Sequence, residues 1–311
     1  MHEESKKKVK SKKIIILLSI SVCLTACGKM NASEAAVQKQ TIQDTVQSTQ
    51  ESSQVEVQAL EEQTEEEHSE EKKEEPGYTK IENPGFEYFI EQGKEIVNST
   101  HKVSLNQESK EKNDIIDEEK WFTDNSLTKP EFPYSDENYQ YETSGDNAYD
   151  TYLLTLSDIE TGKTVATLDF SNFRYGTKYV KEDYDYISQR IIYAKAKDGV
   201  LYVATGHNTY SASCAQTAYI TAIDLSDYHV IWKTEPLTCN SYSFDFVDDF
   251  IICGYGFTDE DDSLKVVDRN TGKVQSDIPV KSMPEYIIYQ NGKLYVRTYD
   301  TNYVYSVAIS E

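Results

Sequence analysis

Three eleven-residue stretches of this chain share one frame: Leu156–Ala166, Ala222–Trp232 and Val266–Ser276. Aspartate holds the third place of each (Asp158, Asp224 and Asp268). Thr-Gly-Lys fills the sixth to eighth places of the first and last copies, which sets Gly162 and Gly272 at matching positions, and Trp232 closes the middle copy. The frame reads as a strand, a turn and a returning strand. Aspartate accepts hydrogen bonds from turn amides, and glycine supplies the positive φ that a compact hairpin needs. A terminal aromatic can lie flat against the neighbouring unit.

Hairpins alternate with these frames. Arg190–Ala196, Asp198-Gly199 and Val200–Thr205 form one, and Tyr286–Tyr289, Asn291-Gly292 and Lys293–Thr298 repeat it. Phe244–Asp249 followed by Phe250–Tyr255 is a looser copy. Leu201, Ile251 and Leu294 mark steps of 50 and 43 residues, with four strand-like runs in each unit. The 24 tyrosines point the same way, so the class is all-β. Four strands per period of forty-odd residues is the signature of a β-propeller blade.

The frame resembles the tryptophan-docking motif (Ala-x-Asp-x-x-Thr-Gly-Lys-x-x-Trp) of the PQQ-like propeller family, over residues 149–311. Two copies lack the tryptophan and one begins with alanine. The resemblance implies a small or partial β-propeller of about four to five antiparallel four-stranded blades, since the chain is too short for seven or eight. The last blade stops after Tyr303–Ile309, so its outermost strand is expected from the N-terminal part of the domain. Residues 78–148 stay ambiguous. Phe86–Glu91 reads as a short amphipathic helix, Asn113–Trp121 as a helix or a loop, and Tyr139-Gln140-Tyr141 as the start of a first blade.

Quinoprotein members of that family carry their cofactor on the axis of a complete ring, with calcium and often adjacent cysteines; this chain has no vicinal cysteine pair. No cofactor is therefore expected. Cys214 and His207 lie in one loop and offer a nucleophile and a base on paper, but oxidation of Cys214 is the stronger reading. In a propeller the connections bearing Cys214 and Cys239 emerge on one face, which favours a Cys214–Cys239 disulfide. Cys253 falls inside a strand and is expected to pack as a small apolar residue. Asp259–Asp262 lacks the glycine and distal glutamate of an EF-hand loop and reads as a solvated turn, so no metal is expected.

The N-terminus is read separately. Lys6, Lys7, Lys8, Lys10, Lys12 and Lys13 precede an apolar run, Ile14–Val22, too short to span a bilayer, and Leu24-Thr25-Ala26-Cys27 follows. This resembles the lipobox of bacterial lipoproteins, which implies cleavage before Cys27 and lipidation of its thiol. Residues 1–26 are then a signal peptide. Residues 27–77 contain no Phe, Trp or Tyr and are dense in Glu, Gln, Ser and Thr, a composition that cannot offset chain entropy. They read as a disordered tether of about 40 Å typical reach. Residues 78–148 form an N-terminal extension.

From residue 77 onward, 21 Lys and Arg face 39 Asp and Glu. Such an acidic surface argues against nucleic acid and against docking on anionic headgroups. The expectation is an extracytoplasmic lipoprotein, in keeping with a Gram-positive surface, that presents a non-enzymatic binding or scaffolding module to a protein or glycan partner. Its contact face is expected at Gly206–Ala215 and Thr238–Tyr242. A hydrolase or lyase with a pocket on the propeller axis and a carbohydrate-binding surface protein are the alternatives.

Overall fold

The computed structural model describes residues 77–93, 98–178, 188–207, 215–258 and 260–311. In chain order the strands are β1 (Thr79–Lys80), β2 (Phe89–Ile90), β3 (Lys102–Lys112), β4 (Tyr134–Ser135), β5 (Tyr139–Asn147), β6 (Asp150–Asp158), β7 (Thr164–Asp169), β8 (Arg190–Lys197), β9 (Val200–Gly206), β10 (Tyr219–Asp224), β11 (Val230–Lys233), β12 (Asp245–Val247), β13 (Phe250–Tyr255), β14 (Ser263–Asp268), β15 (Val274–Pro279), β16 (Pro284–Gln290), β17 (Lys293–Thr298) and β18 (Thr301–Ser310). A 3₁₀ turn at Ile115–Asp117 leads into one short helix, α1 (Glu118–Asp124).

The strands form four sheets. Their orders are β1-β7-β6-β5-β4, β2-β11-β10-β9-β8, β12-β13-β14-β15 and β16-β17-β18-β3. Each is an antiparallel four-stranded unit, and the first two carry an added outer strand. The fold is a small, partial β-propeller.

Hairpin chemistry explains the local structure. Asp198-Gly199 and Asn291-Gly292 both take φ near +52° and +77°, the pair of positive values that a two-residue turn between right-twisted strands demands. Alternation explains the packing, because successive strand side chains point to opposite faces. One apolar cluster joins the first and second sheets through Tyr141, Leu154, Leu168, Ile191, Leu201 and Val203. A second joins the second and third through Ala204, Ile220, Trp232, Phe244, Ile251 and Val267. A third joins the third and fourth through Phe250, Ile252, Val266, Ile287, Leu294 and Val296. The sheets thus stack in chain order.

The N-terminal extension supplies the added strands β1, β2 and β3, and its β4 and β5 open the first sheet. β3 lies antiparallel to β18 from Lys102↔Ser310 to Lys112↔Thr301, which completes the last sheet from the N-terminal side. β1 adds in parallel to β7, and β2 pairs with β11. The helix expected over Phe86–Glu91 is not formed: Phe89 and Ile90 instead bond the open edge beside Trp232 and Lys233. An edge strand with unpaired amides outcompetes a single helical turn. In the stretch Asn113–Trp121 a 3₁₀ turn runs into α1, whose Trp121 and Phe122 are buried against Tyr286. The first sheet reaches back to Tyr134, ahead of Tyr149.

Candidate functional site

The repeat turns fix how the sheets meet. In each, the amide of the seventh residue bonds the carbonyl of the third: Gly162 to Asp158, Tyr228 to Asp224 and Gly272 to Asp268, at 2.8 Å in all three. The aspartate side chains cap the turns. Asp158 Oδ1 accepts from the Thr161 hydroxyl and amide (2.6 and 2.7 Å), Asp224 Oδ1 from the Ser226 hydroxyl and amide (2.6 and 2.9 Å), and Asp268 Oδ1 from the Asn270 and Thr271 amides (2.8 and 3.1 Å). Bonds from the Thr161 hydroxyl and then its amide hold the Asp158 carboxyl below the usual carboxylate range.

Trp232 docks on the next turn. Its Nε1 donates to Arg269 O at 2.9 Å, and its ring lies so near Gly272 that a Cβ there would sit 2.5 Å from Cε3. Arg269 in turn holds Asp198 (2.6 Å) and Asp249 (3.6 Å), in the hairpin turns of the second and third sheets. These residues are scaffold, and they set the sheets at a fixed spacing.

The segment from Thr128 to Asp136 runs along the inner edges of the sheets. It leaves α1, which packs on the fourth sheet, and enters the first sheet through β4. The Tyr134 ring stacks between Tyr141 (4.9 Å) and Tyr193 (5.1 Å). Tyr141 donates to Asp136 Oδ2 and accepts from the Ala196 amide at 2.9 Å. Burial raises all three phenol pKa values, so these side chains stay neutral.

Two cavities flank this segment. One, of about 520 Å³, lies against Tyr134, Tyr193, Lys195, Ser243, Asp245 and Ile287. Its charges are spent internally. Lys195 Nζ is 2.6 Å from Asp245 Oδ1, and Asp245 Oδ2 accepts from the Tyr289 amide at 2.8 Å. The other, of about 510 Å³, draws on the first, second and fourth sheets and on the loop before β12, and is lined by Phe132, Thr151, Arg190, Tyr242, Tyr286 and Glu131, among others. Glu131 is held by Lys129 at 3.1 Å, and Lys129 also holds Glu118 at 2.7 Å. Burial raises the Tyr242 phenol pKa, Glu285 raises it further and Arg190 opposes them. The arrangement offers aromatic faces and one guanidinium to a bound group.

The other sequence candidates fall as follows. His207 is buried, donates its amide to Thr217 Oγ1 at 3.0 Å, and has its imidazole pKa pushed down to about 4 by burial. Cys214 and Cys27 lie outside the described residues, as do residues 208–214 of the expected contact face. The other half of that face is corrected by the structure: Thr238, Cys239, Asn240 and Ser241 are buried, because Asn240 and Ser241 turn inward to bond Gly254 O (3.0 and 3.2 Å). Cys239 is a buried free thiol and so is Cys253, on β13. Glu260 accepts from Tyr255 Oη, and burial with nearby carboxylates raises the Asp262 pKa. Among the described residues, two groups bring three potential metal-ligating atoms together, His101 with Asp248 and Asp249, and Asp224 with Asp227 and His229. In both, the histidine is already paired to an aspartate.

Sequence reading missed the inner segment and Arg190. The one available signal was Pro130-Glu131-Phe132-Pro133-Tyr134, where two prolines forbid regular structure and the aromatics demand burial.

No family model and no curated protein matches this chain. Similar solved structures include the computationally designed Ika8 protein (12% identity over 55% of this chain and 44% of that one, TM-score 0.36). BamB from Moraxella catarrhalis is another (13% identity, 53% and 56%, TM-score 0.28). A third is the quinohemoprotein alcohol dehydrogenase ADHIIG from Pseudomonas putida HK5 (13% identity, 53% and 27%, TM-score 0.33). This chain spans less than two thirds of the length of each.

Proposed function

We propose that this chain is a membrane-anchored surface lipoprotein whose partial propeller is a non-enzymatic binding or scaffolding module. The anchor is the lipidated Cys27, the tether is residues 27–77, and the partner is a protein or glycan. The observation that supports the binding role most is the cavity beside the inner segment, where Phe132 of that segment, Tyr242 of the loop before β12, Arg190 of the second sheet and Tyr286 of the fourth converge. Pockets of this size that combine flat apolar walls with a few fixed polar groups are the usual form of a ligand site. Its lining carboxylate Glu131 serves structure, held by Lys129 at 3.1 Å, and Lys129 is shared with Glu118 at 2.7 Å.

Two experiments test this reading. Mass spectrometry of the protein isolated from its membrane should find a lipidated Cys27 at the N-terminus, and Cys27→Ser should release the protein from the membrane. An unmodified or different N-terminus refutes the anchor. Calorimetric titration of the full-length protein in detergent against short glycans and peptides should give binding that Tyr242→Ala weakens, with the probes recovered unchanged. Recovery of cleaved probes overturns the non-enzymatic role.

A further inference from the structure

Resting on the binding reading above, we propose that the cavity lined by Arg190, Phe132, Tyr242 and Tyr286 receives a carboxylate, on a small acid or a chain end, with Arg190 as its counter-ion. The chain has four arginines. Three are paired: Arg174 with Asp146 (2.8 Å) and Asp150, Arg269 with Asp198 and Asp249, and Arg297 with Glu285. Arg190 lines the cavity, and among the described residues its guanidinium has no ion pair or hydrogen bond. In a chain with 54 acidic residues an unspent arginine at such a place is conspicuous. The cavity's other charged lining residue, Glu131, is held by Lys129.

Chemistry narrows the ligand. A guanidinium presents parallel N–H donors that match one carboxylate in a two-point contact. Among the described residues no second cation lines the cavity, so a dianionic phosphate would keep a charge without a partner. The aromatic walls favour a ligand with a flat or apolar body beside its acid group.

Calorimetry on the full-length protein in detergent tests this with N-acetylphenylalanine, its methyl ester, the tripeptide Ala-Ala-Phe with free and amidated ends, and inorganic phosphate. The free acids should bind about tenfold tighter than the ester and amide, Arg190→Gln should erase that preference, and Arg190→Lys should keep part of it. Binding of the free-ended peptide but not of the acetylated amino acid would identify a chain end as the source; the reverse would identify a small acid. Equal binding of acid and ester, phosphate binding as tight as the acids, an unchanged Arg190→Gln, or no binding at all overturns the proposal. Neutral probes that bind through Tyr242 without preference for acids would sink the Arg190 assignment and leave the binding module standing.

A separate observation carries a second inference. After β11 the chain folds back over β13: Asn240 N donates to Gly254 O at 3.0 Å, Gly254 N donates to Ser241 Oγ at 3.2 Å, and Cys253 Sγ donates to Thr238 O at 3.5 Å. Cys239 and Cys253 therefore flank one close crossing, both fully buried and packed in one apolar cluster. We infer that these two cysteines, rather than Cys214 and Cys239, form the disulfide of the exported protein. An external disulfide, carried by a small molecule or a thiol oxidoreductase, is the oxidant during folding. One cysteine thiolate attacks it and expels a thiolate, the other cysteine displaces the second thiolate, and the two cysteine protons leave with the reduced thiols.

Non-reducing tryptic mapping of the exported protein decides this, because residues 239–253 contain no Lys or Arg. The peptide 234–265 should be two hydrogen masses light and resist alkylation. A link between peptides 198–233 and 234–265, or two alkylated thiols, overturns the inference.

Discussion

Gly272 and Gly162 occupy the same place in the repeat turn with φ +72° and +67°, yet their surroundings differ. A Cβ on Gly162 meets nothing within 4 Å, whereas on Gly272 it runs into Trp232. Gly162→Ala should therefore cost only the left-handed penalty, about 1–2 kcal/mol. Gly272→Ala should cost that and the undocking of an indole, about 3–5 kcal/mol in all. Urea unfolding of the two variants checks the difference, and equal losses would remove Trp232 from the account. Tyr228 fills the same slot at φ +64°, so the middle copy carries the backbone strain that glycine avoids in the others. His207 gives the pH counterpart. Its pKa falls from 6.5 unfolded to about 4 folded, so between those values the unfolded chain binds more protons. The neutral imidazole costs nothing above pH 6.5; stability is lost as pH falls from 6.5 to 4, by up to ~3 kcal/mol, and then levels off. The difference between wild type and His207→Gln across this range should follow that curve; a flat difference would refute it.

At the scale of elements, the repeats were legible and their partners were not. Asp158, Asp224 and Asp268 announce turns through chemistry within eleven residues. β1, β2 and β3 are strands only because β7, β11 and β18 leave open edges 89, 142 and about 200 residues further on, which no local pattern encodes. Lys233 shows how such a strand is retained. Its fully buried Nζ donates to Gly85 O (2.6 Å) and Asn83 Oδ1 (3.1 Å) and faces the rings of Tyr219 (4.0 Å), Phe86 (4.6 Å) and Phe173 (5.0 Å). Burial pushes its pKa down to about 7, and the rings and the two carbonyl oxygens favour the ammonium against that pressure. Lys233→Met removes the cost of burying the ammonium but leaves Gly85 O and Asn83 Oδ1 without their donor, a loss of about 1–3 kcal/mol. The urea midpoint should fall by that modest amount while amide exchange over residues 83–91 speeds up tenfold or more. Unchanged exchange there would show that the ammonium does not hold the segment.

For the whole molecule, the decisive question is what joins the last sheet to the first. Apolar clusters link the sheets pairwise in chain order, and among the described residues none links the fourth to the first. The inner segment spans that interval instead, anchored at one end by Trp121 and Phe122 on Tyr286 and at the other by Tyr134 between Tyr141 and Tyr193. This division of labour explains why the blade count could be bounded from the repeats while the candidate site could not: the site is built where a non-repeating segment meets the first, second and fourth sheets and the loop before the third. If Tyr134 is the pin, its ring matters and its hydroxyl matters little. Tyr134→Phe keeps both stacks and should stay within about 1 kcal/mol of wild type. Tyr134→Ala opens a void between two phenol rings and should cost about 2–4 kcal/mol, less than a fully buried aromatic because part of the side chain faces solvent. Released from its pin, the segment should also become the first site of limited proteolysis, with cleavage by a glutamate-specific protease after Glu131, a bond not blocked by the flanking prolines, preceding any loss of the sheets. Equal stability of the two variants, or cleavage that begins elsewhere, would mean that the sheets hold their arrangement without it.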